Sequence, residues 1–238
     1  MPDNAMPVQR IEKPDWHPGS EINREIAELV AHSYLDATAL LERELAHNDL
    51  LYYIRDDEGR LATFFMVARE CLHVDRRPTP SVFLGLGATS QRTKGSGLVR
   101  QLYRAFLTEA RGWEQALDRP LLLWATTATP SAYYGAGLVF ADLQPRPDGS
   151  FTAEGAAIAN VLRRRYGLGP LDAGGNPFVM HDVATGTRYS PEEEARIEAI
   201  CREKRFDLFE KTGVDQRNGD RLLVICRVAG RPSMELCA

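Results

Sequence analysis

The chain has 238 residues, 44% hydrophobic and 26% charged, enough for one large α/β domain or one domain with an appended segment. A net charge of −4 sets the whole-molecule field against nucleic acid, and no apolar run is long enough to span a membrane. The four cysteines, Cys71, Cys201, Cys226 and Cys237, form no CxxC pair and no metal-ligand spacing, so no metal is expected, and a reducing, cytoplasmic setting without a signal peptide fits best. Basic residues cluster at Arg76-Arg77, Arg100/Arg104 and Arg163–Arg165; the simplest reading of each is a solvated face.

Residues 1–19 are polar, carry four prolines, and read as a loose, flexible tail. A helix is expected from Ser20, with Ile22, Ile26, Leu29, Val30, Leu40, Leu41 and Leu45 on one stripe. Ser20 would cap it, although Asn23 stands where a capping box has Glu. The period then changes. Leu50–Arg55 and Leu61–Ala68 read as a hairpin around the turn 56–60, Arg76–Pro80 as a loop, and Ser81–Ala88 as a third strand marked by Gly85 and Gly87. Leu98, Leu102, Ala105, Phe106 and Ala110 place a helix after the next glycine-rich turn, with Gly112 weakening its end. Leu121–Thr126 reads as a buried strand, Thr129-Pro130 as the start of a short helix, and Val139–Leu143 as another strand. Beyond Pro145 come a helix over Thr152–Tyr166, a glycine-rich loop over Leu168–Gly175, a strongly signalled helix start at Ser190-Pro191, and a last strand over Leu222–Val228. This segment, 146–238, has too few apolar positions for a core of its own and is expected to pack on what precedes it.

The strongest chemical signal is the run Arg92-Thr93-Lys94-Gly95-Ser96-Gly97, set between an apolar strand and an amphipathic helix. A helix start presents unpaired N–H groups at a positive dipole end, and glycine lets backbone approach a pyrophosphate with no Cβ in the way. Arg92 and Lys94 would add charge and Ser96 a hydroxyl. A purely structural turn is the competing reading; a nucleotide-triphosphate loop lacks Gly-Lys-Ser/Thr in the required frame.

With Arg92, Gly95 and Gly97 in place, the run resembles the acyl-CoA-binding motif of the GCN5-related N-acetyltransferases, Gln/Arg-x-x-Gly-x-Gly/Ala. The order of elements over residues 20–145 is similar to that family as well. The resemblance implies an α/β fold with a mixed sheet, whose two central parallel strands splay and are flanked by helices, followed here by a C-terminal α/β extension. It implies acetyl-CoA or another acyl-CoA in the gap between Val82–Thr89 and Leu121–Thr127. Leu86, Gly87 and Ala88 would bind the donor, with the backbone N–H groups of Gly87 and Ala88 holding its pantetheine arm and polarising the thioester carbonyl. The family often uses a tyrosine on the following short helix as general acid. Tyr134 is preferred here for its aromatic neighbour, and Tyr133 fits by its spacing to Gly137; both could equally be packing residues. No carboxylate lies on Val82–Ser90; Glu70 or His73, near the end of the hairpin, could reach the cleft as base directly or through water, an ordinary surface or salt-bridge role being the alternative for each.

The expected activity is N-acylation of an amine by direct attack in a ternary complex. A synthase drawing long acyl chains from an acyl carrier protein, docked on the basic clusters, and a non-catalytic acyl-CoA-binding module are the alternatives. The expected partners are the acyl donor and an amine, with neither nucleic acid nor membrane. The family commonly dimerises; the sequence itself marks no interface.

Overall fold

Runs of apolar residues buried on both faces build a mixed sheet, and the computed structural model describes residues 6–169, 171, 175–184 and 188–228 of the chain. In chain order the elements are β1 (Val8–Glu12), α1 (Glu21–Ala31), α2 (Ala37–His47), β2 (Leu50–Arg55), β3 (Leu61–Val74), β4 (Arg77–Thr89) and α3 (Leu98–Leu117). They continue with β5 (Leu122–Thr127), α4 (Pro130–Gly137), β6 (Ala141–Gln144), α5 (Ala153–Arg165), β7 (Val179–Met180), α6 (Pro191–Lys204), α7 (Leu208–Thr212) and β8 (Arg221–Arg227). The sheet order is β1-β2-β3-β4-β5-β8-β6, with β7 also paired to β8. Among the described residues only β4 and β5 run parallel. This is the mixed sheet with a central parallel pair that the resemblance implies.

Two apolar layers cover the sheet. On one face Tyr52, Phe65 and Val67 meet Leu98, Leu102, Phe106 and Ala110 of α3, which recur every four residues as a helix stripe requires. On the other, Leu51, Tyr53, Phe64 and Met66 meet Ile22, Ile26 and Leu29 of α1 and Leu41 and Leu45 of α2.

Several expectations are corrected. Residues 8–12 are no loose tail; they pair with β2 in full register, and Trp16 is fully buried against α1 and α2. The single first helix is two. The chain breaks at 32–36 because Tyr34 bridges to Tyr189, with Leu35 N–H donating to Arg188 O and Ser190 N–H to Ser33 O, both at 2.9 Å. Ser20 stands at the N-cap position, but its hydroxyl donates back to His17 O instead of capping. The expected loop 76–80 is strand; the reversal is tightened to Asp75 and Arg76, both at positive φ. Gly112 lies inside α3, which runs five residues further. The extension does more than pack on the core, since β8 inserts between β5 and β6 and pairs with β5 from Leu122 to Thr127. Of the glycine-rich loop 168–175, residues 170 and 172–174 lie outside the described residues, as do residues 1–5 and Cys237.

Candidate acyl-transfer cleft

The gap between β4 and β5 has a local cause. The strands pair from Ser81↔Leu122 to Leu84↔Ala125 and no further. Opposite β3, Phe65 pairs with Gly87 but Val67 with Leu84, so β4 carries one extra residue at Gly85–Leu86. A bulge of this kind bends its strand; β4 follows β3 while Thr126 and Thr127 stay with β8. Gly87 suits the β3 side, because a Cβ there would stand 3.1 Å from Phe64 O and 3.2 Å from Phe65 Cβ, close enough that the neighbouring strand would have to give by a few tenths of an ångström.

The bulge also decides which amides face the gap. Ser90 N–H donates to Ala62 O at 2.8 Å, and bonded pairs alternate along an antiparallel ladder. Ala88 therefore bonds Phe64, while Gly87 and Thr89 direct their N–H groups into the gap. Leu86 N–H donates to Glu44 Oε2 at 3.3 Å. Of the two expected carbonyl donors, Gly87 and Ala88, the ladder directs Gly87 at the gap, joined by Thr89.

The glycine-rich turn forms a single 3-10 turn, Gln91–Thr93, before α3. Gly95 and Gly97 have φ of 84° and 85°, and Gly97 occupies the N-cap. Gln101 N–H makes the first bond of the helix, to Gly97 O, so the amides of Leu98–Arg100 have no intrahelical carbonyl. A Cβ at Gly95 would meet nothing within 4 Å, so this backbone is open to a ligand. The cradle fits a pyrophosphate. Its side chains behave differently from expectation. Arg92 turns away to Asp56, 3.0 Å from Oδ2, and with Arg60 holds that carboxyl down to about 2 against the opposing effect of burial. Ser96 Oγ donates to Thr93 O at 2.6 Å, and Thr93 Oγ1 bonds Ala62 O and Ser90 Oγ. Lys94 lines the cleft but binds Glu193 of α6 at 2.6 Å. Arg100, on the first turn of α3, supplies a cation that was read as surface charge.

Cradle and gap open into one cleft of about 890 Å³. Through the gap it reaches the face of the sheet that carries Trp124 and Thr126. Register places Leu223 of β8 opposite Thr126, and Arg221, two residues on, shares this face. Tyr34, Arg43, Glu44, His47, Arg165, Tyr166, Tyr189 and Arg221 line the cleft here. Tyr166 follows α5; burial of its hydroxyl, partly offset by the nearby Thr126, pushes its pKa up to about 12, although the residue as a whole is 38% exposed.

Of the expected acid–base residues, Tyr133 lines the cleft and Tyr134, Glu70 and His73 do not. Glu70 is absent from the cleft lining. It takes a bidentate contact from Arg165 and lies 3.0 Å from His47 Nε2, while Arg165 sits 5.5 Å over the Trp124 ring. His73, opposite Pro78 near the far end of the β3–β4 hairpin, is absent from the lining too. Tyr133 is buried and donates to Pro145 O at 2.6 Å. Tyr134 stacks on Phe206 with centroids 3.9 Å apart, and burial, then Asp207, raises its pKa. Glu44, at the bulge, was missed because α2 reads as the tail of one long helix with its charges in solvent.

Among the described residues no group of three or more His, Cys, Asp or Glu side chains is arranged to hold a metal, and no helix is long and apolar enough to cross a membrane. Cys71, Cys201 and Cys226 are free thiols.

No protein-family model and no curated protein matches the chain. Solved structures do. A conserved protein of unknown function from Enterococcus faecalis is 16% identical over 56% of this chain, which spans 33% of that protein's length, with a TM-score of 0.41. The GNAT-family N-acetyltransferase YhbS of Escherichia coli, solved with CoA, is 21% identical over 56% of this chain and 68% of its own, at 0.39. The toxin AtaT, bound to the C-terminus of its antitoxin AtaR and to acetyl-CoA, is 14% identical over 55% and 81%, at 0.36. Likenesses of this depth assign no chemistry to the cleft; its own residues must.

Proposed function

We propose that the protein is an acyl-CoA-dependent N-acyltransferase in which a bound amine attacks the thioester directly. The observation that carries this is continuity: a helix-start anion cradle and an amide-lined strand gap open into one cleft, which ends at a carboxylate and a tyrosine on the far face of the sheet. The amides of Leu98–Arg100, with Arg100, would hold the pyrophosphate of the donor. The N–H groups of Gly87 and Thr89 would meet the carbonyl oxygen, where negative charge develops as the amine adds.

Glu44 replaces Glu70 as the base. It is at the bulge, and both oxygens of Glu70 are engaged by Arg165. As the carbon–nitrogen bond forms and the carbon–sulfur bond breaks, Glu44 accepts the proton lost by nitrogen, directly or through water, and the departing sulfur takes one from Tyr166. A tyrosine hydroxyl held near 12 stays protonated at neutral pH, as a proton donor must. The Tyr133 hydroxyl is committed to Pro145 O, and Tyr134 is stacked on Phe206.

Thermal shift with acetyl-CoA, longer acyl-CoAs and free CoA, followed by thiol release over a panel of amines, tests the reading. Stabilisation by acyl-CoA with amine-dependent thiol release is the expected result. Binding without turnover on any amine would leave a binding module. Turnover only from acyl carrier protein would move the donor to a carrier.

A further inference from the structure

The candidate base has a holder that does not itself line the cleft. Asn48, one helical turn after Glu44, is fully buried and occupies the C-cap of α2. Its Nδ2 donates to Glu44 O at 2.8 Å and to Glu44 Oε2 at 3.0 Å, so one amide holds both the backbone and the carboxylate of the same residue. Leu86 N–H, at the bulge, donates to that same Oε2 at 3.3 Å. Both donors go to Oε2, and among the described residues Oε1 accepts no hydrogen bond.

The other end of the amide is unfavourable. Asn48 Oδ1 is buried with no hydrogen-bond partner, a penalty that an apolar side chain at 48 would not carry. The amide cannot turn over to relieve it, because its oxygen would then face two acceptors, Glu44 O and Glu44 Oε2. The pair of bonds to Glu44 is what the group offers in return. Gly85 makes the room for it: a Cβ there would stand 2.5 Å from Asn48 Oδ1, 2.8 Å from Nδ2 and 3.0 Å from Cγ. Any side chain at 85 would have to push the amide away from Glu44. The sequence marks Gly85 only as a glycine inside a strand; the amide packed on it supplies the reason.

On the acyltransferase reading, with Glu44 as base, we propose that Asn48 is a positioning residue for the transfer. Seated in the space left by Gly85, its amide fixes Glu44 Oε2 against the bulge, and Oε1 is the oxygen turned to the amine. The proton that nitrogen loses as it bonds the carbonyl carbon goes to Oε1. Asn48 itself touches neither donor nor acceptor. Residues 44, 48 and 85 act as one unit, so a change at 48 or 85 reaches the chemistry through the carboxylate.

Steady-state thiol release by N48A, G85A and the double variant tests this, with thermal shift by acetyl-CoA as the check on folding. N48A should lower kcat about tenfold, the loss of one hydrogen bond to a charged group, with acetyl-CoA affinity and the KM for amine unchanged. G85A should do the same by displacing the amide. With the amide gone the added methyl has room, so the double variant should be no slower than N48A. N48D keeps the shape and sets a second carboxyl beside Glu44. Two carboxyls so placed share a proton, so the acid limb of the kcat–pH profile should move up by about one pH unit or more. The other charged and titratable groups around Glu44 are Arg43 and His47 of α2, Arg165 and Tyr166 at the end of α5, Arg221 of β8, and Glu70, which pairs with Arg165. All are the same in N48D and wild type, so the shift reports on the pair 44 and 48. Where N48A does not fold, N48D and G85A decide. Unchanged kcat in N48A, losses that multiply in the double variant, or an N48D profile lowered equally at every pH overturn the inference and leave Glu44 as base. Near-wild-type turnover in E44Q removes the base, and this inference with it. Absence of acetyl-CoA binding by the wild type overturns the acyltransferase reading as a whole.

Discussion

Glu44 and Glu70 are both glutamates beside the same strand, and their surroundings give them opposite characters. Glu70 meets a bidentate guanidinium and an imidazole, an arrangement that fixes both its oxygens in place away from the cleft. Glu44 accepts one backbone amide at 3.3 Å and one side-chain amide, from Asn48, at 3.0 Å, and lines the cleft. Replacing Glu44 by Gln keeps an acceptor for both amides and removes the base. E44Q should lower kcat by about 100-fold or more, within the usual range for general base catalysis, with acetyl-CoA affinity unchanged, while E70Q should cost less than about tenfold. Steady-state kinetics on the two variants decide it, and near-wild-type turnover in E44Q would remove the assignment. Y166F should lower kcat about tenfold or more, whereas Y134F should not. Because burial holds the Tyr166 hydroxyl near 12, the Y166F defect should be the same at pH 6 and pH 9; a defect that vanished at either end would point to another acid.

At the scale of elements, hydrophobic period and turn chemistry made most of the sheet legible. Thr129 caps α4, accepting from Ala132 N–H, and Ser190 caps α6, accepting from Glu193 N–H, each ahead of a proline, as read. What stayed hidden was long-range. Nothing local in residues 221–227 says that this strand enters between two strands some ninety residues earlier. Nor does the chain near Tyr34 reveal that Tyr189 will pair with it and split a helix. The bulge at Gly85–Leu86 was half visible, since its glycines were marked, but which amides it frees depends on register with β3. The turn at Gly97 was placed correctly, and its side chains were not, because Arg92 is drawn off by Asp56 and Lys94 by Glu193. Alanine at Gly97 would have to adopt φ near 85°, which costs an L-residue roughly 1–2 kcal/mol. Its Cβ would lie 3.5 Å from Arg100 Nη2, an ordinary contact. G97A should therefore lose about 1 kcal/mol in urea unfolding and weaken acetyl-CoA binding beyond that. Since β8 supplies the only neighbour of β5 on that side, a chain ending at 145 should show no cooperative unfolding transition; a cooperative melt of 1–145 would mean that β5 tolerates an open edge.

Across the whole molecule, the extension from residue 146 and the chain before it meet at the glycine-rich turn ahead of α3. Glu193, from the extension, is 5% exposed and bonds Lys94 of the motif turn and Arg196 of its own helix. Burial alone would raise its pKa; the hydrogen bonds from Arg196 and Lys94 outweigh burial and hold it below the ordinary carboxylate value. A carboxylate depressed on folding contributes stability that is present above its unfolded pKa and is lost as pH falls through the folded one. The clasp therefore holds at neutral pH and opens only in acid. E193Q removes the charge at every pH. It should lower the melting temperature at pH 7, and its melting temperature should fall less than that of wild type between pH 5 and pH 3. The same substitution frees Lys94 to face the cradle, so acetyl-CoA should bind severalfold more tightly at low salt, with a steeper salt dependence. Thermal melts over that pH range and titrations at two ionic strengths measure both effects. Parallel acid profiles in the two proteins would show that Glu193 does not couple the extension to the core. Unchanged acetyl-CoA affinity would show that Lys94 takes no part in holding the donor.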